Sequence, residues 1–213
     1  MQNQRTPASA LLFMTSECPN CPAVLQALGE LIKEGHLGKL TVTNLSVNSE
    51  AAAEFNIRSV PFVRIGLFDL TGLRSKKELY GWVRRAGSIT GMASYFAELL
   101  TSGQLNEAIA FTDKHPESIE ALFVLASTPE TDINTRIGIS AIIEAIADKG
   151  TLSEHLDGLL TLSKHNDPQV RSEVCHFLAL SQSAEAKERL EALLNDSEES
   201  VRLAAKESLD DLI

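Results

Sequence analysis

The stretch SECPNCP, residues 16–22, contains two cysteines separated by two residues, and it begins shortly after the apolar run ALLFM at 10–14. Cys18 and Cys21 form a C-x-x-C motif, and a proline follows each of them. In an intracellular chain with a single further cysteine, such a pair is typical of redox catalysis or of half a metal site. The rest of the chain helps to decide between these chemistries.

Composition excludes several classes of protein. The chain has 213 residues, of which 44% are hydrophobic and 23% are charged, which is typical of a folded protein with one large or two small domains. The net charge of −10 disfavours a nucleic-acid binder. Residues 1–17 contain only Arg5 as a basic residue and a five-residue apolar run, which predicts neither a secretory signal nor a membrane span. We therefore expect a cytoplasmic protein that binds neither nucleic acid nor membrane, although a signal cleaved upstream would leave the same pattern.

The charge is distributed unevenly along the chain. Residues 1–103 hold 10 basic and 8 acidic side chains, a balance of +2. Residues 104–213 hold 9 basic and 21 acidic side chains, a balance of −12. This asymmetry predicts two domains of different character.

The first half alternates between strand and helix patterns. Short β-branched or alternating runs predict strands, and amphipathic runs predict helices. The predicted strands are 10–15, 40–47 and 60–68, the predicted helices are 21–35, 49–57 and 75–87, and DLTG at 69–72 is a predicted turn. This order predicts a β-α-β unit with a parallel strand pair, followed by a hairpin and a covering helix.

The second half shows only helical patterns. The predicted helices are near 90–102, 104–113, 118–127, 133–148, 152–164, 168–180, 184–195 and 198–212. Asp167 is a predicted N-cap, with Pro168 in the first helical position. TLSE at 151–154 and DSEE at 196–199 have the spacing of capping boxes.

These helices also repeat. Residues 166–180 align with 195–209 at a period of 31, and 133–146 is an earlier copy. The matching positions are Val170 with Val201, Arg171 with Arg202, and Arg136 standing 35 residues before Arg171. A single helix pair cannot bury its apolar face, so stacking into a short solenoid is expected. The DP-x-VR…A pattern resembles the HEAT-like repeat family over roughly residues 130–213.

The cysteine motif has a recognisable setting. Cys18 follows a predicted strand and opens a predicted helix, and the N-terminus of a helix favours a thiolate. Cys21 lies one turn into the same predicted helix, and SVP at 59–61 follows at the start of a later strand. This combination resembles the thioredoxin superfamily over about residues 8–87. The CPNC sequence is closer to the glutaredoxin and archaeal disulfide-oxidoreductase style than to the thioredoxin CGPC style.

The resemblance implies roles for individual residues. Cys18 would be the attacking nucleophile, Cys21 the resolving thiol and Pro61 the cis-proline beside them. The Val60 backbone would pair with an extended substrate segment, and Pro19 and Asn20 would contact the substrate between the two cysteines. Exchange of this kind needs no cofactor beyond electrons from another thiol system.

The sequence also departs from the thioredoxin pattern. Leu12 and Asn44 occupy the positions where thioredoxins carry a buried Asp and a Lys that move protons for the resolving cysteine. Glu17 replaces the aromatic residue before the first cysteine, and a carboxylate there disfavours the thiolate. The Gly-Gly and acidic pattern with which glutaredoxins hold glutathione is absent from the sequence.

Two other interpretations of the cysteines remain open. One is a structural or vestigial pair, and the other is a metal site. A zinc or iron–sulfur site needs four ligands, and the chain has no second C-x-x-C and no H-x₃₋₅-H, so a metal site would have to be shared between two chains. Cys175 lies beside the apolar stripe of a repeat helix and is expected to be a small buried core residue. We therefore predict no metal site within one chain.

The sequence thus predicts an α/β thioredoxin-like domain followed by an all-α HEAT-like repeat (short α-solenoid) domain. The expected division is a redox domain at 1–88, a helical connector or capping region at 89–130 and repeats at 131–213. The expected function is thiol–disulfide oxidoreductase, with protein disulfide or dithiol substrates, an upstream thiol reductant and a protein partner on the repeat face. The acidic surface of 185–211 is expected to be an ordinary solvated surface, with partner docking as the alternative. The alternative is a non-catalytic adaptor or redox sensor that uses the thioredoxin-like fold as a scaffold.

Overall fold

A computed structural model describes residues 7–212 of the chain. Contacts between Cα atoms divide it into two compact units, Met1–Met92 and Ala93–Ile213. The N-terminal residues that carry Arg5, on which part of the signal-peptide prediction depends, lie outside the described residues. The three-part division of the chain stays a prediction.

The first unit contains one four-stranded mixed sheet. Its order is β2-β1-β3-β4, with β1 parallel to β2 and antiparallel to β3, and β3 antiparallel to β4. Its elements are β1 (Ala8–Met14), α1 (Cys21–Lys33), β2 (Leu37–Asn44), α2 (Glu50–Glu54), β3 (Phe62–Ile65), β4 (Phe68–Thr71) and α3 (Lys76–Arg85). This is the predicted β-α-β unit with its hairpin and covering helix.

Alternating side chains of β1 face two sides of the sheet. Phe13 packs with Phe62 and with Ala51 of α2 in one apolar cluster. Leu12 points to the opposite face and is fully buried. Both faces of the central strand are therefore covered, which explains its nearly continuous apolar sequence.

The hairpin differs from the prediction in one respect. Residues 60–68 were expected to form one strand before a turn at 69–72, whereas the turn lies at Gly66 and Leu67 and the next four residues form β4. Ile65 pairs directly with Phe68, and Gly66 has a φ of +58°, a left-handed conformation that glycine adopts without a steric penalty. The glycine therefore decides where the chain reverses.

Within residues 93–212 the second unit contains helices joined by turns and loops and has no strand. Its first helix begins before the division between the units. Its helices are α4 (Ile89–Thr101), α5 (Leu105–Lys114), α6 (Ile119–Ala126), α7 (Ile133–Asp148), α8 (Leu156–Leu162), α9 (Pro168–Leu180), α10 (Ala184–Leu193) and α11 (Glu199–Asp210), with 3-10 turns at Pro116–Ser118 and Leu152–His155. Helix α9 packs against α7, α8, α10 and α11. None of the helices within residues 7–212 combines the length and the apolar composition that a bilayer crossing requires.

The helix caps confirm one prediction and correct two. The Asp167 side chain accepts a hydrogen bond from the Gln169 N–H, as expected of an N-cap. The capping box at 151–154 is wrong because a 3-10 turn follows Thr151, whose side chain makes no cap. The box at 196–199 is also wrong, since α11 begins after Glu198 and Asp196 instead accepts from the Glu198 N–H.

The arginines at repeated positions make equivalent contacts. Each guanidinium donates to backbone carbonyls of the loop that precedes its own helix: Arg136 to Thr128 and Thr131, Arg171 to His165 and Asn166, and Arg202 to Asp196 and Ser197. Arg171 also makes two hydrogen bonds to the Asp196 carboxylate, at 2.9 and 2.7 Å. The repeat seen in the sequence is therefore a repeat of loop-closing contacts as well as of apolar faces.

Candidate redox site at the C-x-x-C motif

Three chain segments meet the sheet of the first unit at one edge, where β1 and β2 end and β3 begins. Met14, the last residue of β1, pairs with Asn44, the last residue of the parallel strand β2. Phe13 pairs with Phe62, the first residue of the antiparallel strand β3. The cysteine loop at 15–20, the loop at 45–48 and the segment before Phe62 therefore meet at this edge.

Cys18 and Cys21 are joined by a disulfide, with their Cα atoms 5.5 Å apart. Cys21 is the first residue of α1 and is fully buried, whereas Cys18 is only partly buried. The prediction that Cys18 opens the helix is wrong: it lies in the preceding turn, where its N–H donates to the Thr15 carbonyl at 3.3 Å. The two cysteines therefore differ in exposure, and Cys18 is the more exposed of the two.

Two prolines explain where α1 begins. Pro22 lies in the first turn of the helix, where the missing N–H has no intrahelical partner to lose. Pro19 lies in the turn before it, and Asn20 occupies the N-cap position without a side-chain cap. Pro19 and Asn20 are both exposed beside Cys18.

The segment before β3 carries the other two predicted site residues. The Val60–Pro61 peptide bond is cis, Val60 is partly buried and Pro61 is buried. The Pro61 carbonyl accepts from the Gly72 N–H at 2.9 Å, just after β4. The strand register places this segment at the same edge of the sheet as the cysteine loop.

Sequence reasoning missed a hydrogen-bonded network at this edge. The Asn44 Nδ2 donates to Ser16 Oγ at 3.0 Å, and the Ser46 N–H donates to Asn44 Oδ1 at 2.9 Å. The Ser16 N–H donates to Ser46 Oγ at 3.0 Å. Small polar residues at strand ends commonly bond to nearby backbone, so Ser16, Asn44 and Ser46 carried a signal that spacing analysis does not use.

The remaining cysteine has a different environment. Cys175 is fully buried in α9, and its Sγ donates to the Arg171 carbonyl at 3.2 Å. Desolvation raises the pKa of this thiol to about 12. Cys175 is therefore a packing residue, as its sequence context predicts.

A metal site at the C-x-x-C pair would need further ligands beside the two cysteines. Within residues 7–212, no group of three or more His, Cys, Asp or Glu side chains is arranged to hold a metal ion. The C-x-x-C pair offers two thiols, and a tetrahedral structural site needs four ligands. A metal site shared between two chains stays a hypothesis.

The second unit contains a groove of about 390 Å³ between α6, which precedes the repeats, and α8. Phe123 and Leu162 are buried lining residues, and Val124 is 39% exposed. The Phe123 ring packs directly against Gly158, and a Cβ at position 158 would collide with the ring. Glu120 and Asp157 also line the groove and are exposed carboxylates.

Comparison with known families agrees with both halves of this description. Residues 11–84 match the thioredoxin domain model, and residues 131–210 match the HEAT repeats model. The chain carries a thioredoxin domain followed by HEAT repeats. No curated protein matches the chain. Both resemblances seen in the sequence are thereby confirmed, and the C-x-x-C pair lies inside the thioredoxin domain.

Proposed function

We propose that this protein is a thiol–disulfide oxidoreductase that acts on protein disulfides through Cys18 and Cys21. The observation that carries the proposal is a thioredoxin domain whose C-x-x-C pair forms a disulfide between a partly exposed and a buried cysteine. The difference in access supports distinct roles for the two cysteines. A bulky protein substrate can reach Cys18, whereas only a neighbouring group can reach Cys21.

In the reductive direction the reduced Cys18 thiolate attacks one sulfur of a substrate disulfide. A mixed disulfide forms and the first substrate thiolate leaves. The Cys21 thiolate then attacks Cys18 Sγ, closing the intramolecular disulfide and releasing the second substrate thiolate. Two electrons pass to the substrate, two protons are taken up by its thiolates, and a dithiol reductant restores the pair. The reverse sequence oxidises a substrate dithiol with the same atoms.

The surroundings of Cys18 support a substrate-binding role for its neighbours. Pro19 and Asn20 are exposed next to it, and Val60 lies at the same sheet edge. Pro61 completes this proposed site. The exchange requires thiols alone, so we propose no cofactor, and we propose a cytoplasmic location because the cysteines do not form a structural disulfide framework.

We further propose that the repeat region selects a basic protein partner. Repeat arrays offer extended surfaces for protein interactions. The exposed carboxylates of residues 185–211 are Glu185, Glu188, Glu191, Glu198, Glu199, Glu207, Asp210 and Asp211. The groove between α6 and α8 adds apolar lining next to Glu120 and Asp157. Its chemistry suits a bulky apolar side chain flanked by Lys or Arg.

The catalytic proposal is tested by the reduction of insulin disulfides with dithiothreitol as the electron donor. Cys18→Ser is expected to reduce the rate to that of dithiothreitol alone, because the attacking sulfur is lost. Cys175→Ser is the matched control and is expected to retain the wild-type rate. Undiminished reduction by the Cys18→Ser protein would refute the assignment. A wild-type protein that retains partners without reducing any disulfide would favour the adaptor alternative.

The partner proposal is tested with a labelled peptide that carries one Leu between lysines. Glu120→Lys combined with Asp157→Lys is expected to weaken binding, measured by fluorescence anisotropy, and added salt is expected to do the same. Asp148→Lys combined with Glu154→Lys changes the charge equally at exposed positions outside the groove and serves as the control. Equal binding by all three proteins would contradict a role for the groove.

A further inference from the structure

The segment that carries Cys18 has few contacts of its own to hold it. The Cys18 N–H bond to the Thr15 carbonyl is long, at 3.3 Å, and the Val24 N–H bond to the Asn20 carbonyl is longer, at 3.4 Å. Asn20 provides no side-chain cap for α1. Apart from the disulfide itself, these local bonds fix the turn only weakly.

Stronger bonds reach the same segment from the end of β2. The hydrogen bonds among Ser16, Asn44 and Ser46 measure 2.9–3.0 Å. They join the cysteine loop at 15–20 to the end of β2 and the loop at 45–48, and each side supplies both a donor and an acceptor. The Leu45 N–H also donates to the Met14 carbonyl at 2.7 Å. The Asn44 side-chain amide donates to Ser16 in the cysteine loop and accepts from the Ser46 N–H in the loop at 45–48, so it connects the two loops.

We propose that Asn44 is a positioning residue that holds Cys18 in its reactive orientation through Ser16. This inference rests on the proposed function, since it concerns the same sulfur. Asn44 touches neither cysteine in the contacts described, and it acts through a loop that begins two residues before Cys18. The Ser46 hydroxyl completes the arrangement by accepting from the Ser16 backbone.

Hydrogen bonds that position Cys18 matter most in the reduced protein. Reduction removes the bond between Cys18 and Cys21, and with it the covalent tie between the turn and α1. Attack on a disulfide requires the sulfur to be aligned with the bond that breaks, and loss of orientation slows such steps. A thiolate held close to the N-terminus of α1 is also stabilised by its N–H groups, so movement of the turn would destabilise the thiolate.

The test compares Asn44→Ala, Ser16→Ala, Ser16→Thr and the control Thr41→Ala, which removes an exposed side chain from the same strand. Iodoacetamide alkylation of Cys18 is followed against pH in reduced protein that carries Cys21→Ser and Cys175→Ser. Asn44→Ala and Ser16→Ala are each expected to raise the midpoint of the profile by about half a pH unit. In the proteins that retain Cys21, the same two changes are expected to lower kcat/KM for insulin reduction about tenfold.

Ser16→Thr keeps the hydroxyl and is expected to retain the wild-type alkylation midpoint and the wild-type kcat/KM. The double variant Ser16→Ala/Asn44→Ala is expected to show no larger change in either value than the single variants do. An unchanged alkylation midpoint in both alanine variants, with unchanged thermal unfolding, would overturn the inference. The alkylation measurement needs no exchange activity. If the wild-type protein reduces no disulfide while the midpoints still shift, the proposed function fails and the positioning role of Asn44 stands.

Discussion

Cys18 and Cys175 carry the same thiol side chain, but one is partly exposed and the other is fully buried. Cys18 lies in a turn at the edge of a sheet, partly open to solvent and bonded to a second cysteine. Cys175 lies inside a repeat helix, fully buried, with its thiol bonded to a backbone carbonyl. The comparison shows that the backbone around a cysteine decides whether it can react: a loop exposes the sulfur, whereas a helix interior desolvates it and raises the pKa.

The largest expected contrast is in alkylation by iodoacetamide at pH 8. Burial raises the pKa of Cys175 to about 12, so very little of it is thiolate at this pH, and burial blocks the reagent as well. We expect Cys18 in the reduced native protein to react about 10³-fold faster than Cys175, measured by peptide mass spectrometry.

The control for this contrast is the unfolded chain. In concentrated guanidinium chloride the three cysteines are expected to react at similar rates, because their environments become equal. A Cys175 that reacts as fast as Cys18 in the native protein would break the comparison.

A second prediction concerns the ion pair between Asp196 and Arg171, whose backbone carbonyl accepts from the Cys175 thiol. Arg171 and Asp196 are 12% and 10% exposed, and Arg171 holds two loop carbonyls as well. Arg171→Ala is therefore expected to lower the free energy of unfolding by about 3 kcal/mol, since removal of one partner leaves a nearly buried charge unpaired. Urea unfolding followed by circular dichroism measures this change.

Lys206→Ala, at an exposed position of α11, is the control and is expected to change stability by less than about 0.5 kcal/mol. Arg171→Ala should also speed the alkylation of Cys175, because the helix that buries it is destabilised. Wild-type stability in the Arg171→Ala protein would show that the arginine contacts contribute little.

The smallest predicted effect is in acid. Hydrogen bonds from Arg171 lower the pKa of Asp196 from 3.8 to about 2. The stability that this depressed pKa contributes is present above about pH 4 and is lost as the pH falls toward 2. The stability difference between wild type and Asp196→Asn is therefore expected to shrink by about 1 kcal/mol across this window.

Urea unfolding at a series of pH values between 5 and 2 checks this prediction. Asp210→Asn, at an exposed position of the same region, is the matched control for the removal of one carboxylate. A difference between wild type and Asp196→Asn that stays constant from pH 5 to pH 2 would contradict the assignment.

Much of this comparison could be predicted from the sequence. Hydrophobic periodicity identified the helices of the repeat region and the buried position of Cys175, and the CPNC motif with SVP at 59–61 indicated the thioredoxin fold. The repeated arginines marked structurally equivalent positions, although their carbonyl contacts depend on loop geometry that spacing does not encode. Long periodic segments are the most predictable part of a fold because many residues contribute to one signal.

The site itself was less predictable. The start of α1 at Cys21 depends on how Pro19, Asn20 and Pro22 share the turn, and prolines are compatible with several starts. The hairpin turn lies at Gly66, whereas the sequence pattern predicts a turn at 69–72. In the sequence, Asn44 stands out only as the residue in place of a thioredoxin lysine, because its hydrogen bond to Ser16 joins residues 28 positions apart. Contacts of this kind follow from tertiary structure and leave no local pattern.

The most direct test of the account is a trap of the mixed disulfide. Reduced Cys21→Ser protein is incubated with insulin, and the products are analysed by intact mass and peptide mapping under non-reducing conditions. The account predicts a covalent adduct through Cys18 that dithiothreitol releases, and no adduct in a Cys18→Ser/Cys21→Ser protein. An adduct through Cys175, or no adduct at all, would contradict the assignment of Cys18 as the attacking sulfur.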